Sequence, residues 1–100
     1  MQGEASSLPS DRVTIEIEEQ DLGVARQVAA SIAAVLDRAG LRRPILLHGV
    51  DATVWHFVEL ARQRRWSTRV GLEDGKHLPD GTIAPDNAAL VTAALAIFRA

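Results

Sequence analysis

The chain has 100 residues, 47% of them hydrophobic, which is enough for one small domain with its own core. A formal net charge of −2 argues against nucleic acid and anionic membranes as partners. The lack of cysteine excludes disulfides and thiolate metal sites. Because no stretch resembles a signal peptide or a membrane span, we expect a cytoplasmic protein.

The first part of the chain divides into a tail and a strand. Residues 1–11 are small, polar and interrupted by proline, which predicts a flexible tail ahead of a domain at 12–100. Apolar and polar residues then alternate strictly over 13–18, the pattern of a strand. Its acidic residues would ordinarily face water. If that face lined a barrel, Glu16 or Glu18 would reach a site there.

A helix and a second strand come next. Asp21 suits a helix N-cap and Gly40 a left-handed C-cap, so they bound the first predicted helix. A short apolar run after a proline predicts a buried parallel strand near 45–49. The apolar stripe predicted for the helix consists of Val24, Val28, Ile32, Val35 and Ala39.

The last half of the chain repeats the alternation. A second helix is predicted to begin at Asp51 or Thr53, a third strand lies near 67–72, and a last helix begins at 85–87. The order strand, helix, strand, helix, strand, helix indicates an α/β fold with one parallel sheet and right-handed crossovers.

Ionisable residues end two of the predicted strands. His48 ends the second strand, while Arg69, Glu73 and Asp74 occupy the third strand and its end. Because the carboxyl ends of parallel strands meet at one edge of a sheet, these four residues are expected to lie together. Two simpler interpretations stay open: the charges belong to a solvated edge strand, or the histidine is structural.

One segment resembles a known family. From Ile45 to Phe98 the chain is similar to the C-terminal part of β-keto acid cleavage enzymes, typified by 3-keto-5-aminohexanoate cleavage enzyme. The resemblance rests on Arg69-Val-Gly-Leu-Glu-Asp74, a following Leu-Pro-Asp-Gly turn and an Asn-Ala-x-Leu-Val helix start. Residues 12–44 fit more loosely, as the preceding strand and helix.

The resemblance implies a fold and a chemistry. Such enzymes are (β/α)8 TIM barrels that bind a divalent metal, usually zinc, and cleave a β-keto acid with acetyl-CoA by acyl exchange and a retro-Claisen step. By position, Glu73 matches the metal ligand, and Asp74 and Arg69 match the acid–base pair, with Arg69 holding Asp74 ionised. We assign substrate binding to His48 and Glu18.

The chain also departs from the family. A whole barrel needs about 250 residues, whereas this chain has three βα units that resemble the last three. The family's His-x-His metal ligands have no counterpart in the sequence. Three hypotheses follow: a truncated or divergent member, inactive alone or completed by another chain; a small binding or assembly module without catalysis; or an unrelated α/β protein that binds a small anion. Open sheet edges further predict a homo-oligomer or a complementing chain.

Overall fold

The computed structural model describes residues 4–7, 13–40 and 44–100. A short 3-10 helix, Asp51–Thr53, lies between the strand Ile45–Gly49 and the helix Val54–Arg64. Among the described residues, no helix is long and apolar enough to cross a membrane. The main elements are β1 (Glu4–Ser7), β2 (Val13–Ile17), α1 (Leu22–Ala39), β3 (Ile45–Gly49), α2 (Val54–Arg64) and α3 (Asn87–Phe98).

The centre of the sheet is the parallel pair of β2 and β3. Val13 lies opposite Ile45, and the register brings Glu16 opposite His48. The side chains of β2 alternate between buried and half-buried, as the strict alternation of its sequence requires. The predicted parallel strands near 13–18 and 45–49 are therefore confirmed, as is the α/β class.

The third predicted strand, 67–72, is reduced to one bridge. Ser67 pairs in parallel with Leu46, through its amide to the Ile45 carbonyl (2.8 Å) and its carbonyl to the Leu47 amide (2.9 Å). The hydroxyl of Thr68 then donates to the Leu47 carbonyl at 2.7 Å. That carbonyl is the acceptor that the amide of Arg69 would use in a longer parallel ladder, and the pairing does not continue beyond Ser67.

The sheet also contains a strand that the sequence analysis did not predict. Residues 4–7, inside the segment predicted as a flexible tail, form β1 and pair antiparallel with β2. The sheet has the order β1-β2-β3 and is mixed, where the prediction was all parallel. Residues 1–3 and 8–12 lie outside the described part of the chain. The backbone groups on the outer edge of β2 need partners, and β1 supplies them.

Helix α1 has the predicted ends and part of the predicted buried face. The side chain of Asp21 caps the helix by accepting from the Val24 amide, and Gly40 ends it at φ 64°. Of the predicted apolar stripe, Val28 and Ile32 pack partly buried against the core, whereas Val24 and Val35 are exposed. The most buried positions are all alanines, whose small side chains let the helix lie close to the sheet. They are Ala25, Ala29 and Ala33.

The main core lies between the sheet and the helices α1 and α2. Its largest fully buried side chain is Phe57 of α2, which has no exposed surface. The strands contribute their inward apolar residues to the same cluster, and Trp66 packs at its margin. The remaining buried members are Val13, Ile15, Ile17, Ala25, Ala29, Ile45 and Leu47.

Helix α3 packs against α2 and leaves one apolar face open. Ala94 joins Val54 and Val58 in a second small core. The adjoining face exposes Val91, Leu95 and Phe98, each by more than a third of its surface. The apolar stripe of α3 is therefore wider than its contact with α2, as in a helix that a further element covers.

The connection that leads to α3 contains a small hairpin. His77 and Ile83 form an antiparallel bridge, and the Leu78 amide donates to the Thr82 carbonyl at 2.7 Å. The indole of Trp55 donates to the His77 carbonyl at 2.8 Å. This bond holds the hairpin against α2.

Candidate active site

The central contact of the site joins Arg69 to Asp74. The Nε of Arg69 donates to Oδ2 of Asp74 at 3.1 Å, and Nη2 donates to Oδ1 at 3.3 Å. The carboxylate is almost completely buried, whereas about half of the arginine side chain is exposed. Two parallel charge-assisted hydrogen bonds fix the plane of the carboxylate as well as its position.

A tight turn makes this contact possible. If the chain were extended, five residues would separate the two Cα atoms by about 16 Å. Instead, the amides of Asp74 and Gly75 both donate to the carbonyl of Gly71, at 2.9 and 3.1 Å. A Cβ on Gly71 would lie 2.6–2.8 Å from the carboxyl group of Glu73. A larger residue at this position would require the exposed side chain of Glu73 to move away from the turn.

His48 lies between two carboxylates. Its imidazole Nδ1 is 4.0 Å from Oδ1 of Asp74, and its Nε2 is 3.9 Å from Oε1 of Glu16. The histidine is 1% exposed. The parallel register of β2 and β3 places Glu16 beside it, and the turn after Ser67 brings Asp74 to its other side.

The turn is also tied to the end of β3. The amide of Asp51 donates to the main-chain carbonyl of Asp74 at 2.6 Å. Leu72 is held on the other side, since its amide donates to Oδ1 of Asn87 at the start of α3. The carboxylate of Asp74 is thus positioned by main-chain contacts at both ends of the turn as well as by Arg69.

The other two predicted site residues lie at the margin. Glu73 is exposed on the turn beside Asp74, and Glu18 is exposed one residue beyond the end of β2. The main-chain carbonyl of Glu18 accepts from the side chain of Gln20 at 3.1 Å. The structure therefore brings Arg69, Asp74 and His48 together, and it leaves both glutamates facing outward.

The described residues do not fit a metal ion. They contain no group of three or more His, Asp or Glu side chains that would hold one. Glu73, the predicted ligand, is exposed, and a structural or catalytic zinc ordinarily has at least three protein ligands. A metal centre would need ligands from outside these residues.

From the sequence, Glu16 and Glu18 are both candidates for the site, and Glu18 is the predicted substrate-binding residue. The structure places Glu16, not Glu18, next to His48. The contact between Glu16 and His48 follows from where the two strands begin. If Val13 pairs with Ile45, residue 16 must lie opposite residue 48. The contact of Asp51 with the turn depends on the path of the loop and had no sequence signal.

The fold and this cluster define a class of protein. Ionisable side chains gathered at the carboxyl ends of parallel strands are typical of α/β enzymes, and of TIM barrels in particular. A buried carboxylate oriented by a guanidinium, with an imidazole beside it, is suited to proton transfer.

Comparison with known proteins identifies the family. The family model described as beta-keto acid cleavage enzyme matches residues 12–100, and the chain belongs to that family. A search of curated proteins gave no match. Membership confirms the resemblance drawn from the sequence and relates the chain to TIM-barrel proteins. It excludes the hypothesis of an unrelated α/β protein.

Proposed function

We propose that these residues provide the acid–base part of a β-keto acid cleavage site. The observation that carries the proposal is the bidentate contact of Arg69 with the buried carboxylate of Asp74. Asp74 is the general base: it accepts a proton from the substrate and later returns it. Arg69 neutralises the carboxylate and keeps its oxygens in one orientation.

The exposure of the cluster indicates where the substrate approaches. Half of the Arg69 side chain and 30% of the Glu16 side chain are exposed, while His48 lies beneath them. The carboxylate of a β-keto acid would therefore meet the guanidinium first. Glu18, beyond the end of β2, and His48, in contact with Asp74, remain the proposed substrate-side residues.

The site is proposed to be partial. Three parallel segments, beginning at Val13, Ile45 and Ser67, account for only part of a closed eight-stranded barrel. The metal ligands missing from the described residues would come from a second chain or from further βα units. On this proposal, the 100 residues alone lack zinc-dependent and acetyl-CoA-dependent cleavage.

Zinc content and turnover of the purified chain test this proposal. We expect less than one zinc per chain by elemental analysis and no acetyl-CoA-dependent loss of a β-keto acid, because one carboxylate does not hold the metal. Turnover by the pure chain would show that the site is complete. If the chain is purified together with a complementing chain, the complex should contain zinc and cleave the β-keto acid.

Two neighbouring variants separate the proposed roles. In the complemented protein, Glu73→Gln should remove zinc, whereas Asp74→Asn should keep zinc and lower turnover by about 10²–10⁴-fold, the usual contribution of a general base. In the isolated chain Glu73→Gln should leave stability unchanged, because its side chain is exposed. Unchanged turnover in Asp74→Asn would exclude Asp74 as the general base, whereas a complemented native protein without turnover would favour the alternative, a binding or assembly module without catalysis.

We also propose that the chain associates with itself or with its complement through the open face of α3. Leu95→Gln should weaken that association, while Leu22→Gln, with the same 45% exposure on α1, should not. Light scattering over a concentration series measures the molar mass, and hence the association, of each variant. A monodisperse 10.8 kDa species at all concentrations, with no complementing chain bound, would contradict the proposal.

A further inference from the structure

A cavity lies between α1 and α2, away from the candidate active site. It has a volume of about 330 Å³, and neither Arg69, Asp74, His48 nor Glu16 lines it. The face of α1 toward the cavity is built of alanines, which are too short to fill the space between the helices. Its lining includes Arg26, Ala29, Ala33, His56, Arg64 and Trp66.

The polar groups of this cavity are mostly basic. Arg26 projects from α1, and His56 and Arg64 from α2. The central carbon of the Arg64 guanidinium lies over the Trp66 ring, 4.5 Å from its centre, and this cation–π contact keeps the group at the wall of the cavity. Basic side chains from two different elements thus converge on one space.

Only part of this charge is neutralised. Arg64 contacts Asp37 at 3.3 Å, and that carboxylate is 71% exposed, so water weakens its effect. Within residues 13–40 and 44–100, no carboxylate pairs with Arg26. Glu59, the acid nearest to His56 along α2, is paired with Arg62 instead.

The positive charge in the cavity affects the pKa of His56. Burial and, second, the positive charge of Arg26 lower the pKa of His56 below its usual value. The two basic groups are therefore close enough to repel each other. An anion placed between them would remove that repulsion and favour the protonated imidazole.

We propose that this cavity binds a phosphate-class oxyanion, held by Arg26, His56 and Arg64. A guanidinium offers two parallel N–H donors that match two phosphate oxygens. The alanine walls exclude water from one side, which strengthens such contacts. The anion is free phosphate or the phosphate group of a larger ligand, since both present the same oxygens. This site is independent of the proposed cleavage chemistry.

The test uses inorganic phosphate and the intact chain. At constant ionic strength, titration followed by NMR should saturate, and the pKa of His56 should rise in phosphate relative to chloride. Arg26→Gln should weaken binding about 10-fold or more, the effect of losing one charge-assisted contact. The matched control is Arg38→Gln, which removes the same charge from the same helix outside the cavity and should change affinity less than 2-fold.

Two further probes distinguish the sources of the anion. Tighter binding of adenosine monophosphate than of phosphate would indicate a phosphorylated ligand, and the reverse order would indicate free phosphate. Equal losses in the Arg26 and Arg38 variants, or a His56 resonance that phosphate does not shift, would overturn the proposal. Non-saturating titration with both probes would overturn it too.

Discussion

Replacing Gly49 with alanine is expected to destabilise the protein by about 3 kcal/mol, the upper end of the usual cost of overpacking. A Cβ at this position would lie 2.5 Å from Oγ1 of Thr53 and 2.7 Å from Cδ2 of Phe57. It would also lie 2.9 Å from the main-chain oxygen of Thr53, which cannot rotate away. Relief therefore requires the start of α2 to move.

The packing around Thr53 explains why such a movement is costly. The residue is fully buried, and its hydroxyl donates to the Val50 carbonyl and accepts from the Val50 amide. These contacts hold the short connection between β3 and α2. Since His48 directly precedes Gly49, the same movement would disturb the candidate active site.

Chemical denaturation measures the loss, with Gly23→Ala as the matched control. Among the described residues, the close neighbour of a Cβ on Gly23 is Oδ1 of Asp21 at 3.2 Å, the oxygen that caps α1, which must give by a few tenths of an ångström. Alanine suits a helix better than glycine and offsets a weaker cap, so the control should change stability by less than about 1 kcal/mol. A Gly49→Ala midpoint equal to that of the native chain would refute the expected steric conflict.

Truncation of Phe57 should have the largest effect of any single change in the core. Its side chain is completely buried between the sheet and the helices, so Phe57→Ala leaves a cavity and is expected to cost about 4 kcal/mol. That is a large part of the roughly 5–15 kcal/mol by which a typical domain is stable.

The other phenylalanine of the chain is the control. Phe98 is 38% exposed on α3, so Phe98→Ala should cost about 1 kcal/mol or less when both variants are compared as dilute proteins. Thermal or urea unfolding gives the two values. Similar losses for both variants would mean that Phe57 is not the centre of the core.

Local signals predicted the elements that are defined by short stretches of chain. The alternation over 13–17 predicted β2, and the capping residues Asp21 and Gly40 predicted both ends of α1. Each of these signals acts through hydrogen bonds or side-chain directions within a few residues. For that reason they are readable without knowing the rest of the fold.

Features that depend on distant partners were not predictable in the same way. The strand β1 has no apolar alternation, and its pairing depends on the free edge of β2. The buried face of α1 is set by how closely the helix approaches the sheet, which selected Ala25 and Ala29 over Val24 and Val35.

The candidate site also combines features that a short stretch of sequence predicts with features that depend on distant residues. The hexapeptide from Arg69 to Asp74 predicted which residue types would meet. The place of Glu16 beside His48 depends on the register of two strands that are separated by a helix. The single bridge at Ser67 and the side-chain bond of Thr68 to the Leu47 carbonyl are details that no periodicity reveals.

The antiparallel strand β1 has a consequence for how any larger barrel would close. It uses the backbone groups on the outer edge of β2, from Glu16 to Val13. A parallel strand arriving at that edge would need the same groups, so the two cannot be bound together. Barrel closure at this edge would then be a strand exchange, in which each backbone group of β2 is released by β1 before the new strand pairs with it.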